Sequence, residues 1–444
     1  MKKNLIMEMI NTHAAGIDIG SKSHFVCVGQ KDEQVKEFGI YTKDHENLIH
    51  WLKSEGVTTI AMESTGTYWQ TLFASLQESG FEVLLVNARD IKNVKGKKTD
   101  VIDCMWIQKL HSLGLLRGSF LPDESTRQLR TFFLHRQRLL EHGAKYVLKM
   151  QKAMRLMNIR LDVSIRDITG KTGRAIINAI LEGERDPTKL AELADVRIKK
   201  TKSELADSLK GEWRNDLLFI LKECLELYDY YREKVKSVDK EIENLLLSNL
   251  SVEQSENTLS KVKKKKPHKN DPNFDLRKIS YKIFEIDLYQ INGVSNGLVL
   301  ALLSTLGNGI NKFPSSKHFV SWLRLAPNNK ISGGKILSSR TPKGKNKLAL
   351  ALRQAANSIG NSKDHPLRSF FNRIAYKKGR GAAITATARK LAAIIYHMII
   401  RKEDFIPEYC QNKNINRIKK LKSIQKSLNI LKLSDSERDY ILSS

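Results

Sequence analysis

Residues 13–29, HAAGIDIGSKSHFVCVG, decide how the amino-terminal part of this chain folds. Two apolar runs, 14–19 and 24–28, have the length and composition of strands covered on both faces. Into the first run the sequence sets one acid, Asp18. A lone ionised carboxylate in such a strand costs several kcal/mol unless it is paired or holds a metal. Asp18 is therefore either a misfit or a ligand. Outward from it, a third apolar run near 35–41 is followed by a helical stretch at 44–54, a strand at 57–62, a helix at 68–79, a strand at 82–87 and a helix from about Thr99. This alternation predicts an α/β domain over residues 1–120.

The pattern then changes. From about 125 to 250 no convincing strand occurs, and in LELYDYYREKVKSVDKEIENLL, residues 225–246, Leu225, Tyr228, Val235, Val238 and Ile242 fall near one helical face. Long helices, pairing as a coiled coil, are expected over 121–255. A basic linker follows at 256–280, polar and without periodicity, then a mainly helical domain at 281–410 and a basic helical tail at 411–444. No internal repeat is visible. No run of about 18 uninterrupted apolar residues marks a membrane span. The amino terminus lacks the features of a secretory signal, and Cys27, Cys104, Cys224 and Cys410 are too scattered for a zinc site or a disulfide framework. The expected location is the cytoplasm, with the cysteines reduced.

Net charge is +28, and it is unevenly spread. Residues 261–444 hold 37 Lys and Arg against 11 Asp and Glu, whereas residues 1–260 hold 39 against 37. So polarised a field on one part of the chain suits a polyanion, because neutralising phosphates releases condensed counterions.

Three further acids join Asp18. Glu63, in TTIAMESTG, stands where a buried strand ends, and Asp100 and Asp103, in KKTDVIDCMW, open a helix three residues apart and share one face. In a largely parallel sheet a ligand site lies outside the carboxyl ends of the strands, which is where Glu63 would meet Asp18. Clustered carboxylates call for a divalent cation, and Mg²⁺, with Mn²⁺ as the alternative, takes carboxylate, water and phosphate oxygens. A pair of such ions about 4 Å apart activates a nucleophile and stabilises a leaving oxygen. Singly, each acid has an ordinary reading, such as Asp100 complementing a helix dipole; the four together point to a metal site.

In the basic half, INGVSNG places Gly293 and Gly297 in a turn between apolar segments, similar to a helix-hairpin-helix phosphate site and equally to a packing turn. In KISGGKILSSRTPKGKNK, Ser332 precedes two glycines and is followed by Lys335, Arg340, Lys343, Lys345 and Lys347, in a region expected to be helical. A hydroxyl on a flexible turn within a cationic field can approach a phosphodiester; a plain phosphate clamp has the same composition. Ser338 and Ser339 are rival hydroxyls.

Asp18 in GIDIGS, Glu63 in AMESTGTYW and Asp100 with Asp103 in KTDVID resemble the DEDD-type insertion-sequence transposases, and residues 291–307, FVSWLRLAPNNKISGGK and RQAANS resemble their second domain. The resemblance implies a RuvC-like ribonuclease H fold for the first domain. It also implies a recombinase that cuts and rejoins element ends and target DNA, with Ser332 as the nucleophile of a covalent link completing the acid quartet. A structured noncoding RNA that guides the reaction is implied too, with contacts expected from the arm Lys261 to Lys269 and from Arg130, Arg136, Arg138, Lys145, Lys149, Lys152 and Arg155. The long helices suggest a homo-oligomer, a dimer or tetramer. One departure is the run Pro342-Lys343-Gly344-Lys345-Asn346, where a Lys-x-Gly-Asn-like sequence is expected. Two alternatives remain. A junction nuclease would use the acids without Ser332. GIDIGS also resembles an actin-like ATPase phosphate loop, but the second loop of that fold is missing.

Overall fold

The structure, a computed structural model, describes residues 8–30, 32–64, 66–87, 91, 99–250, 267–344 and 346–407. The expected tail at 411–444, most of the basic arm and Lys345 lie outside the described residues. The chain forms two compact units, residues 1–121 and 122–444.

The first unit is built on a five-stranded sheet. Strands β1 (Ala14–Ile19), β2 (His24–Val28) and β3 (Gln34–Phe38) form an antiparallel meander. Helix α1 (Thr42–Ser54) leads to β4 (Thr59–Glu63), and α2 (Trp69–Glu78) leads to β5 (Glu82–Val86); both strands run parallel to β1, giving the order β3-β2-β1-β4-β5. Strand periodicity divides the sheet into two faces. Ile17, Ile19, Ile60, Met62 and Leu85 turn to one core, where Leu48, Leu52, Leu72 and Leu76 of α1 and α2 meet them. Gly16 and Ala61 turn to the other face, which is covered by α3 (Asp100–Ser112) through residues such as Ile107. This mixed sheet with helices on both faces fits a ribonuclease H-like domain.

The second unit begins with two long helices, α4 (Glu124–Leu156) and a partner at Asn215–Ser248, which run antiparallel: Arg136 meets Asp239, and the His142 and Tyr146 rings lie 5.4 and 5.6 Å from Tyr231. Between them the chain inserts α5 (Leu161–Ser164), α6 (Lys171–Leu181), α7 (Pro187–Glu192) and α8 (Lys202–Ser208), so the second long helix is α9. The insert shares one core with the ends of α4 and α9, including Met154, Ile176, Ile180, Leu205 and Leu221. The five apolar residues expected on one face of α9, from Leu225 to Ile242, are all buried.

Beyond the linker come α10 (Leu276–Phe284), whose first turn occupies the far end of the expected linker, then α11 (Asn296–Leu306), α12 (Ser316–Trp322), α13 (Lys347–Asn361) and α14 (Arg368–Arg401). α11 is apolar all round because it is central; every residue from Leu298 to Leu306 is buried, against α4, α10 and α13. α14 is long and apolar enough by composition to cross a membrane, but 56% of its most apolar window is buried inside the molecule and Gly379 interrupts it.

One expectation needs correction here. Ser332 does not lie in a helical region: Lys330–Ser332 and Lys335–Ser338 are strands β6 and β7 of a separate hairpin. Gly333 and Gly334 both have positive φ, 54° and 74°, as a two-residue type I′ turn requires. Isoleucines in both arms then favour the extended form.

Candidate active site

Strand register sets the first two acids side by side. Ile17 is opposite Met62 in the parallel β1–β4 pair, so the next residues along, Asp18 and Glu63, stand on neighbouring strands and on the same face. Both are half-buried. That face is the one α3 covers, and the approach is close: a Cβ on Gly16 would lie 2.2 Å from the Gln108 nitrogen and 2.5 Å from the Cys104 carbonyl oxygen.

α3 runs antiparallel to β1. Its last residue, Ser112, accepts a 2.9 Å hydrogen bond from the Ile10 nitrogen ahead of β1, Gln108 and Cys104 flank Gly16, and Cys104 senses the Asp18 carboxylate. The Cys104 thiol is pushed up to about 12, chiefly by burial, then by Cys27, with the Asp18 charge adding. The helix start, carrying exposed Asp100 and half-buried Asp103, therefore projects toward the Asp18 end of the strand. Thr99 caps this start, its side chain accepting from the Ile102 nitrogen at 3.3 Å. Three anchors hold the helix in place: Gln108 donates to the Gly29 carbonyl at 2.9 Å, His111 Nε2 bonds Thr59 Oγ1 at 2.9 Å, and Trp106 Nε1 donates to the Ile91 carbonyl at 3.2 Å. The fold thus sets Asp18 and Glu63 side by side and turns the start of α3 toward the same end of β1. It does not close them into a cage: among the described residues no three His, Cys, Asp or Glu side chains converge tightly enough to enclose an ion. As a donor set, four carboxylates and no thiolate or imidazole suit a hard, oxygen-loving cation.

In the second unit, Ser332 is exposed and paired across the hairpin with Lys335, so the hydroxyl and the ammonium stem share a face. A Cβ on Gly333 or Gly334 would meet nothing within 4 Å. The rivals differ: Ser338 is half-buried and its Oγ accepts from the Arg340 nitrogen at 3.4 Å, while Ser339 is exposed. Arg340 and Lys343 are exposed and Lys347 is half-buried. The departing run at 342–346 has its own local logic, with the Lys343 carbonyl accepting from Arg324, Gly344 packed beside that guanidinium, and Asn346 capping α13 by accepting from the Ala349 nitrogen at 3.1 Å. Sequence reading missed Arg324, which sits at φ 56°; no signal marked it.

The two glycines of INGVSNG part company. Gly293, at φ 101°, faces Ile359 of α13, 2.9 Å from where its Cβ would be, so it serves packing; Gly297 lies in the first turn of α11, whose start is capped by Ser295. Among the cations expected to meet RNA, Arg136 must be withdrawn. It is buried and donates to Asp239, at 3.3 Å from Nη2, and to the Asn270 carbonyl at 3.1 Å. Lys269 is engaged as well, donating to Asp167 at 3.0 Å, and Arg155 pairs with Asp162. Arg130, Arg138, Lys145, Lys149 and Lys152 are exposed on α4.

Comparison with protein-family models gives two matches in chain order. A model of DEDD transposases of the IS110 type matches residues 15–159, and the transposase IS116/IS110/IS902 family model matches residues 287–372. No curated protein matches the chain. The first match contains all four acids and the second contains Ser332. An ATPase reading of GIDIGS has no place in this pairing. Together the matches span just over half of the chain, which belongs to the IS110-type DEDD transposases: it is a DNA-binding transposase whose acid domain implies dependence on a divalent metal.

Proposed function

We propose that this transposase cuts and rejoins DNA with two cooperating groups, the acids Asp18, Glu63, Asp100 and Asp103 and the hydroxyl of Ser332. The observation that supports the acid half is the antiparallel docking of α3 on β1, which points the start of α3 toward the end of the strand that carries Asp18. Mg²⁺ bound there would supply Lewis acidity to the phosphodiester. The protein's own contribution is positional: Asp18 and Glu63 are fixed by strand register, and Asp103 by the anchored helix.

Ser332 supplies the covalent step. Its Oγ attacks a DNA phosphorus, the Ser–O–P bond forms as the P–O bond to the leaving deoxyribose breaks, and the hydroxyl proton passes to that oxygen or to water. Attack by a different strand's hydroxyl reverses the exchange, so rejoining needs no ATP. Lys335, across the hairpin, faces the charge that develops on phosphate oxygens. The exposed turn and its two glycines let a strand come close to this serine. We further assign the acid chemistry to residues 1–120, the serine chemistry to 281–410, and assembly of a dimer or tetramer to the long helices at 121–255. A structured guide RNA is taken to lie along the exposed cations of α4, and Gly297 with the start of α11 to hold a phosphate, as in a helix-hairpin-helix.

The test is to denature reactions on end-labelled DNA and look for protein–DNA adducts. Wild type and Ser338→Ala are expected to give the adduct, Ser332→Ala to lose it, and Asp18→Asn to lose cleavage while binding stays within about twofold, since a metal ligand rather than a phosphate contact is removed. Cleavage without adduct in wild type would mean water is the nucleophile, as in a junction nuclease.

A further inference from the structure

α14 is not one straight helix. Gly379 has φ 81° and ψ 165°, outside the helical region, and divides it into two arms. The residue after the break is held firmly: the Arg380 guanidinium donates to Asn357 Oδ1 at 2.6 Å and to Asn361 Oδ1 at 2.7 Å, both on α13. Across the corner the two arms stay in touch, with Lys390 Nζ of the second arm 5.1 Å from the Phe370 ring of the first. The corner is thus a built feature with a fixed shape.

Just before the break stands Tyr376, 93% exposed and the most exposed aromatic among the described residues, followed by exposed Lys377 and Lys378. Neither lysine is ion-paired among the described residues. The surrounding charge is one-sided: from residue 288 to 402 the chain holds twenty Lys and Arg and a single acid, Asp364. A ring in that position contributes nothing to the core. The five residues that follow it, Lys377, Lys378, Gly379, Arg380 and Gly381, are cations and glycines, a composition unlike the apolar patch a protein partner buries.

We propose that this corner binds an unpaired nucleobase, which stacks on the Tyr376 ring while Lys377 and Lys378 contact the phosphates on either side of it. An aromatic face beside ammonium groups is the combination that binds single strands, since every base offers a π-face and every link a phosphate. A paired base already has neighbours stacked on both faces, so the ring selects a strand that is open, looped or flipped out. The site lies beyond residue 372, where the second family match ends, and is independent of Ser332 and of the acid edge.

The experiment uses the full chain and one fluorescent oligonucleotide sequence prepared as single strand and as blunt duplex, each in DNA and RNA form. Tyr376→Ala is expected to weaken single-strand binding about tenfold, the scale of one lost base stack, and to leave duplex binding and the melting temperature unchanged. Tyr376→Phe should keep wild-type affinity. Lys377→Ala with Lys378→Ala should lower the slope of log affinity against log salt by about 1.4, at about 0.7 per phosphate on a single strand. A loss confined to DNA or to RNA identifies the occupant and supports the site. Wild-type single-strand affinity in Tyr376→Ala, or an equal loss on duplex, overturns it.

Discussion

At Gly16 a missing side chain sets the gap between β1 and α3, and with it the position of two catalytic candidates. The glycine was visible in GIDIGS as a residue that strands disfavour, but its reason was not, because the backbone it admits belongs to Cys104 and Gln108, far along the chain. Asp18 was legible for the opposite reason: its anomaly is local, a charge among apolar neighbours. On the other face of the same sheet, His24 and His45 are buried with ring centroids 5.6 Å apart. Burial lowers His24 to about 4 from an ordinary 6.5, and the neighbouring His45 adds to this; His45 is also lowered by burial, against the opposing pull of Asp44. Between those values the unfolded chain binds protons that the folded one excludes, so stability falls as pH drops from about 6.5 toward about 4. The melting temperature is expected to decline over that window and to decline less in His24→Leu. An identical decline in the variant would show that the pair is not responsible.

Among the elements, α4 and α9 are joined by a buried ion pair, Arg136 with Asp239. Asp239 accepts from Arg136, from the Asn273 backbone nitrogen at 3.2 Å and from the Asn273 side chain at 3.1 Å; Arg136 and Asp239 are buried, whereas Asn273 is exposed. Removing one partner strands the other charge, so Asp239→Ala should cost about 3–5 kcal/mol in a denaturant titration, whereas the exposed pair Lys236–Glu233 should cost less than about 1 kcal/mol to break. A small effect at Asp239 would mean that water reaches Arg136. Sequence alone showed the apolar face of α9 but not this pairing: Arg136 reads as one more cation on a basic helix, and its partner lies 103 residues away. β1 and β2 were readable to the residue because each is a short apolar run between turn signals, whereas the edge strand β3, QVKEF, is largely polar and ends three residues before the expected run. The short helices α5–α8 were not, since four to eleven residues hold too few turns for a period to show. The serine hairpin escaped notice because strands of three and four residues leave no pattern beyond their Gly-Gly turn.

For the whole molecule, the governing quantity is the charge imbalance. With one acid among twenty cations between 288 and 402, affinity for nucleic acid should fall steeply with salt, by about a thousandfold or more between about 50 and 200 mM if at least six phosphates are engaged. A titration of the full chain at several salt concentrations reads the slope directly, and an affinity indifferent to salt would contradict the electrostatic account. This asymmetry was fully legible in the composition. What the sequence withheld was which cations are already used internally, as Arg136, Lys269 and Arg324 are.

The hairpin that carries Ser332 has a colloidal consequence as well. It is a sheet of only two strands, so both strands are open edges, and Ile331, Ile336 and Leu337 are 61%, 63% and 70% exposed. Such edges invite strand addition by another molecule, and short length, irregular register and lysines are the means by which natural sheets discourage it. All three are present: the strands are brief, the register shifts between Lys330 and Ile331, and Lys330 and Lys335 flank the apolar residues. The charges that suit this loop to phosphate therefore also keep neighbouring molecules from sticking, and a salt concentration high enough to release nucleic acid weakens that mutual repulsion at the same time.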